Sequence, residues 1–356
     1  MDTSQGILIK DILTEAITRG ASDLHFSVGN YPVLRVGRDL LYLENRDLIN
    51  QDFMEKFVGS LLKPAQKAKL TKDKEIILSY NFDKQLRFKI NIFYQRSFLS
   101  ATLRYIPAKI PTLSQLGLAD VYKNLTKLDS GLVIISGTFG SGRSSSAAAI
   151  INEINHARKK YILTIEDPIE YVFANNSSMI EQREVGQDTN SYSDALKYFQ
   201  EEDGDVLYLE QMSNPDLIPL VLNISNGNSL VITSMTADSV TKTISSILDN
   251  FASIDQERIR DLLANSLRAV VCQKMIYKIG GQVRVICEVL LVNDTIKSVI
   301  SRGNISQLEN IVQTSKKDGM VSFNQSLAEA VNNGEISRDE ALAHSADSRV
   351  LENLIR

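Results

Sequence analysis

One octapeptide limits what this chain can fold into more than any other feature. Gly137-Thr138-Phe139-Gly140-Ser141-Gly142-Arg143-Ser144 has the glycine spacing of a phosphate-binding loop, G-x-x-x-x-G-K-[ST], with arginine in the lysine position. An apolar run at 132–136 precedes it, and a small-residue stretch at about 144–155 follows. A loop in that setting turns successive backbone N–H groups inward at a helix N-terminus, where the dipole also favours an anion. The competing reading of the same residues is a Gly/Ser turn between strand and helix.

The neighbouring sequence repeats the pattern. Runs at 161–165, 206–209 and 230–233 are each four or five residues long and nearly all apolar, as strands buried on both faces of a parallel sheet are. Helical stretches are expected between them, at about 144–155, 192–202, 215–226 and 239–248. This part is therefore an α/β domain, with a tail over 255–356 that is mostly helical and has one strand-like segment at 283–292.

The N-terminal part follows another rhythm. Leu8, Ile9, Ile12, Leu13, Ala16 and Ile17 recur at helical spacing, and Gly20 stops the helix. Short alternating runs at 24–28, 33–36 and 40–43 come next, then a charged helical segment over 51–72 and strands at 85–94 and 99–105. Elements segregated in this way predict a small α+β domain. Two prolines, Pro107 and Pro111, in a stretch without periodicity mark a linker. The expected organisation is a domain over 1–106, a linker over 107–115 and the α/β domain over 116–356.

Composition excludes several classes. Of 356 residues, 43% are hydrophobic and 23% charged, which rules out a disordered or collagenous chain. Cys272 and Cys287 form no CxxC pair, so a disulfide framework and structural zinc are not expected. The first residues lack the basic and apolar regions of a secretory signal. The longest uncharged stretch, 217–237, is broken by Pro219, Gly227 and three asparagines, so no membrane span is expected and a cytoplasmic setting is. Residues 1–110 hold 17 Lys+Arg against 12 Asp+Glu, a balance of +5, and the remainder 22 against 31, or −9. No basic run resembles a nucleic-acid footprint. The asymmetry reflects either two differently charged domains or two halves that attract each other.

Three further motifs complete a recognisable set: Gly20-Ala21-Ser22-Asp23-Leu24-His25, Thr164-Ile165-Glu166-Asp167-Pro168-Ile169-Glu170-Tyr171, and Gln182-Arg183-Glu184-Val185-Gly186. With the glycine loop and Lys278-Ile279-Gly280-Gly281, the chain resembles the type IV pilus retraction ATPase family, within the type II/IV secretion ATPases, from about residue 2 to 340. The resemblance implies a PAS-like N-terminal domain, a RecA-like P-loop ATPase domain and a hexameric ring. It also implies ATP or ADP with Mg²⁺ as ligands, and a place on the cytoplasmic side of the membrane, peripheral to it. Partners would be further copies or a homologous retraction ATPase, and an inner-membrane pilus platform protein. Residues Gly137 to Ser144 and Ser145 would bind nucleotide, and the Ser144 hydroxyl would hold Mg²⁺. Glu166 would be the catalytic acidic residue. Arg87 and Arg104 align with basic residues that reach a neighbouring subunit's phosphates; as residues alone they read equally well as solvated surface charge.

The chain also departs from that pattern. Arg143 replaces a compact lysine with a larger planar fork, which is not a conservative exchange. Gln211 stands where an acidic residue is expected to act as base or orient water, and an amide cannot take a proton. Glu210 lies one residue earlier, and a step along a strand reverses side-chain direction. Both histidines of the family's histidine box are missing from Ser229–Thr236, and Glu201 stands where an arginine is expected. The expected outcome is a ring subunit that binds ATP with hydrolysis weakened or lost. The alternatives are an active motor using Arg143 and Glu166, and a structural ring component that binds no nucleotide. His25, His156 and His344 form no metal-ligand spacing, His25 reads as structural, and both cysteines read as core.

Overall fold

The structure is a computed structural model that describes residues 3–83, 86–118, 120–212 and 214–355. It separates into two units. The first consists of residues up to Lys109 together with Asp167–Val172, and the second of Ile110–Glu166 with the residues from Phe173 onward.

The first unit runs α1 (Thr3–Thr18), β1 (Asp23–Ser27), β2 (Val33–Val36), β3 (Asp39–Tyr42), α2 (Gln51–Leu61), α3 (Pro64–Asp73), β4 (Glu75–Asn81), β5 (Arg87–Gln95) and β6 (Phe98–Ile106). Its six strands form an antiparallel sheet in the order β3-β2-β1-β6-β5-β4. The apolar stripe of α1 supplies Ile9, Ile12 and Leu13 to a core shared with Phe26, Phe57, Phe88 and Leu103. The charged segment over 51–72 is two helices, because Pro64 starts α3 where its missing N–H costs nothing. The Asn50 side chain caps α2 by accepting from the Phe53 N–H at 2.8 Å. Strand β4, unexpected from the sequence, is a sheet edge whose Ile77 is exposed.

The second unit runs α4 (Val121–Leu125), β7 (Gly131–Gly137), α5 (Arg143–Ala157), β8 (Tyr161–Glu166), β9 (Met179–Glu184), α6 (Tyr192–Glu201), β10 (Val206–Leu209), α7 (Leu217–Ser225), β11 (Leu230–Met235), α8 (Val240–Leu248), α9 (Ser253–Ser266), β12 (Leu267–Tyr277) and β13 (Val283–Leu291). Five helices close it: α10 (Asp294–Ser301), α11 (Gln307–Thr314), α12 (Phe323–Asn332), α13 (Arg338–His344) and α14 (Ser348–Leu354). The sheet order is β13-β12-β7-β11-β10-β8-β9, parallel throughout except for the antiparallel edge β13. Every residue of β7, β10 and β11 is buried, and separate apolar cores fill the two faces of the sheet. The expected α/β architecture is present, with two corrections. Residues 267–277, read as part of a helical tail, are β12, an eleven-residue strand beside β7. The polar segment Met179–Glu184 is β9, an edge strand with one buried residue, Ile180.

Candidate functional site

Parallel strands all end on the same side of their sheet, and ligands of open α/β folds bind beyond those ends. In order across the sheet, β7 ends at Gly137, β11 is followed by Thr236, β10 by Glu210 and Gln211, and β8 ends at Glu166. The sequence-selected residues of the second unit thus lie along one edge.

The glycine loop has a buried base and an exposed crest. Gly137 sits where a Cβ would come within 2.2 Å of Ser141 Oγ and 2.6 Å of the Gln273 carbonyl oxygen, so only glycine fits. Ser141 is buried, and its Oγ has no hydrogen-bond partner. Gly142, at φ 88°, is the left-handed N-cap of α5, a conformation that favours glycine. Thr138, Phe139 and Gly140 are exposed, with Phe139 80% accessible. Beneath the loop, Gln273 Nε2 donates to Ser146 Oγ at 2.8 Å and Thr243 Oγ1 to Ser136 Oγ at 2.8 Å, bracing α5 and β7 against β12 and α8. Glu288 accepts from the Val240 N–H at 2.7 Å at the start of α8, and burial raises its pKa above the usual carboxylate range.

Arg143, Ser144 and Ser145 form the first turn of α5 and are half-buried. Arg143 Nη1 donates to Thr236 Oγ1 at 3.0 Å, a bond from the loop to the next strand's end. Sequence reasoning treated Thr236 only as a lost histidine and missed this pairing.

At the other end of the row, Glu166 is only 4% exposed. Thr164 Oγ1 donates to its Oε1 at 2.6 Å, and Gln182 Nε2 donates to the same oxygen at 3.2 Å. The Gln182 Oε1 in turn accepts from the Phe173 N–H at 2.9 Å, which orients the amide. Thr164 and Glu166 share a strand face at i and i+2, and β8 pairs with β9 so that Thr164 lies opposite Gln182. That alternation was the available signal for Thr164 and Gln182, which were not singled out individually.

Gln211 is exposed just past the end of β10. Glu210 is also beyond the strand, so the strand-alternation argument against it does not apply; it accepts from the Tyr192 hydroxyl at 3.3 Å. Glu201 is exposed at the end of α6. In the first unit, Arg87 donates to the carbonyl oxygens of Ile169 (2.5 Å) and Glu170 (2.7 Å), and Lys89 pairs with the Glu170 carboxylate at 2.7 Å. Arg104 pairs with Asp23 at 2.9 Å. His25 meets Thr102 Oγ1 at 3.1 Å, and burial lowers its pKa. Cys272 and Cys287 are buried core thiols, pushed up to about 12 and about 11 by desolvation. Among the described residues there is no cluster of His, Cys, Asp or Glu suited to a metal, and no helix long and apolar enough to cross a membrane.

The model of the type II/IV secretion system protein family matches residues 2–284. The chain belongs to that family. Among its relatives, the type IV pilus retractation ATPase PilT of Pseudomonas aeruginosa is 33% identical over 94% of this chain and 96% of its own. The type IV pilus ATPase PilU of the same organism is 28% identical over 97% and 90%. A crystal structure of the pilus retraction motor PilT with bound ADP superposes with a TM-score of 0.85 at 32% identity, covering 96% of this chain and 98% of that one. The match spans both units, so the RecA-like architecture of the second unit and the N-terminal domain before it are those of this secretion-protein family.

Proposed function

We propose that this chain is a nucleotide-binding subunit of a pilus-retraction ATPase ring in which hydrolysis is weakened. The likeness to PilT over nearly the whole chain supports the pilus assignment, and the glycine loop supports nucleotide binding. One observation carries the weakening: the cation of the loop is a guanidinium hydrogen-bonded to Thr236, while the position expected to hold an acid past β10 is an exposed amide, Gln211. A guanidinium is bulkier and more rigid than the expected ammonium, and an amide accepts no proton.

The residues present fit a magnesium–nucleotide complex. Ser144 presents a half-buried hydroxyl on the first turn of α5, and Mg²⁺ ordinarily takes one or two protein oxygens plus phosphates and water. When bound, the ion neutralises charge on the phosphate oxygens. Backbone N–H groups of the loop would cradle the phosphates, and Arg143 would supply positive charge beside them. For Arg87 and Arg104 to reach a neighbour's phosphates they would exchange present partners that include Asn81, Ile169 and Glu170 for Arg87 and Asp23 for Arg104. Neighbouring subunits and a membrane platform protein at the cytoplasmic face complete the proposal.

A second reading, an active motor with Glu166 as base, is favoured by the burial of Glu166 and the two donors that hold it in place. Steady-state ATP hydrolysis by the purified wild-type chain separates the two. Turnover well below about 1 s⁻¹ is expected; a value at or above it, within the ordinary enzyme range, selects the active motor.

A further inference from the structure

The register of the sheet brings Arg143 and Thr236 together for a reason that concerns the terminal phosphate. Strands β7 and β11 pair with Ser136 opposite Met235, so Gly137 and Thr236 leave the sheet side by side. The chain makes its glycine turn from Gly137 to Gly142 and starts α5 at Arg143. The Arg143 side chain then reaches back to Thr236 Oγ1 at 3.0 Å. The glycine turn is thereby spanned by a side chain anchored on the adjacent strand end. At the base of the turn lies the buried, unpartnered Ser141 hydroxyl.

In a loop of this kind, the side chain that opens the helix serves the β- and γ-phosphates, while the backbone serves the phosphates nearer the nucleoside. A lysine there is a mobile point charge that follows the anion. Arginine is a planar fork with several donors, and one hydrogen bond to a fixed acceptor sets the direction of the others. A hydroxyl accepts that bond without cancelling the positive charge. Thr236 is 93 residues away in sequence and exposed, so the fold's core does not require its hydroxyl.

We infer that Thr236 is a positioning residue that presents the Arg143 fork to the terminal phosphate, so the preference for a nucleoside triphosphate over a diphosphate rests on this pair. The inference builds on the nucleotide-binding reading above. Its test is calorimetric titration of the full chain with Mg-ADP and with a Mg-bound non-hydrolysable ATP analogue, in wild type, Thr236→Val, Thr236→Ser, Arg143→Lys and the Arg143→Lys/Thr236→Val double variant. Thr236→Val is expected to lower the triphosphate-to-diphosphate affinity ratio about fivefold, the worth of one oriented hydrogen bond. Thr236→Ser keeps the hydroxyl and should hold the ratio within about twofold of wild type. In the Arg143→Lys background, Thr236→Val should move the ratio by less than about twofold, because the anchored fork is gone. Equal losses for both nucleotides, additive effects in the double variant, or failure of serine to preserve the ratio each overturn the inference while leaving nucleotide binding intact. A wild-type chain that binds neither nucleotide overturns the underlying reading, and this inference with it.

Discussion

The two ends of the site row are built under different physical constraints. At the β7–β11 end, Thr138, Phe139, Gly140 and Thr236 are exposed and Arg143 is half-buried. At the β8–β9 end, Thr164 is fully buried, Glu166 nearly so, and Gln182 is tied to both Glu166 and the Phe173 amide. A side chain in solvent is exchanged at small cost to the fold, whereas a buried polar group that loses its partner destabilises the whole domain. Arg143, Glu201, Gln211, Ser229 and Thr236, which the sequence reading takes as departures from the resemblance, are all exposed or half-exposed; Glu166, which it takes as a match, is not. Burial and its two donors therefore fix Glu166 in place by packing, whatever its part in the chemistry.

The largest test of this contrast asks whether Glu166 acts chemically at all. In an Arg143→Lys/Gln211→Glu background, Glu166→Gln is expected to lower steady-state turnover about 10²–10⁴-fold, the usual loss for one positioned catalytic acid or base. A drop of less than about tenfold would make Glu166 a structural member of its strand and remove the contrast's functional side. Next in size is the loop itself. Gly137→Ala places a methyl against Ser141 and the Gln273 carbonyl and is expected to destabilise the chain by about 3 kcal/mol in denaturant unfolding. Phe139→Ala, two residues along on the crest, should stay within about 0.5 kcal/mol. If the two were equal, the division of the loop into buried base and exposed crest would be wrong. The smallest effect compares two threonines. Thr164→Val removes a buried donor to Glu166 and should cost about 1–2 kcal/mol, against less than about 0.5 kcal/mol for Thr236→Val. Equal costs would mean that exposure does not govern which end tolerates change.

Both ends were legible in the sequence to different depths. The strand-loop-helix order around Gly137–Ser144 and the buried runs of β7, β8, β10 and β11 follow from short-range patterns, and they appear where expected. Strand β12 was not recognised, because its continuous apolar run, residues 269–272, is only four residues long and follows closely on a helix, and such runs do not distinguish strand from buried helix. Strand β9 carries Glu181, Gln182, Arg183 and Glu184 at the sheet edge, a composition that reads as loop. The bonds that give the site its geometry, Arg143 to Thr236 and Gln182 to Glu166, join residues far apart in sequence, and only strand register brings them together.

The segment Asp167–Val172 has a consequence for how the chain is made. It follows Glu166 directly, yet it belongs with the first unit, where Arg87 and Lys89 take their partners from Ile169 and Glu170. During synthesis from the N-terminus, that unit emerges as far as Lys109 without these partners. The ribosome must first deliver β7, α5 and β8 of the other unit before residue 172 arrives to complete it. The N-terminal unit is thus completed only after part of the other has emerged, and a truncation ending at Lys109 would release it without the acceptors that Ile169 and Glu170 supply to Arg87 and Lys89.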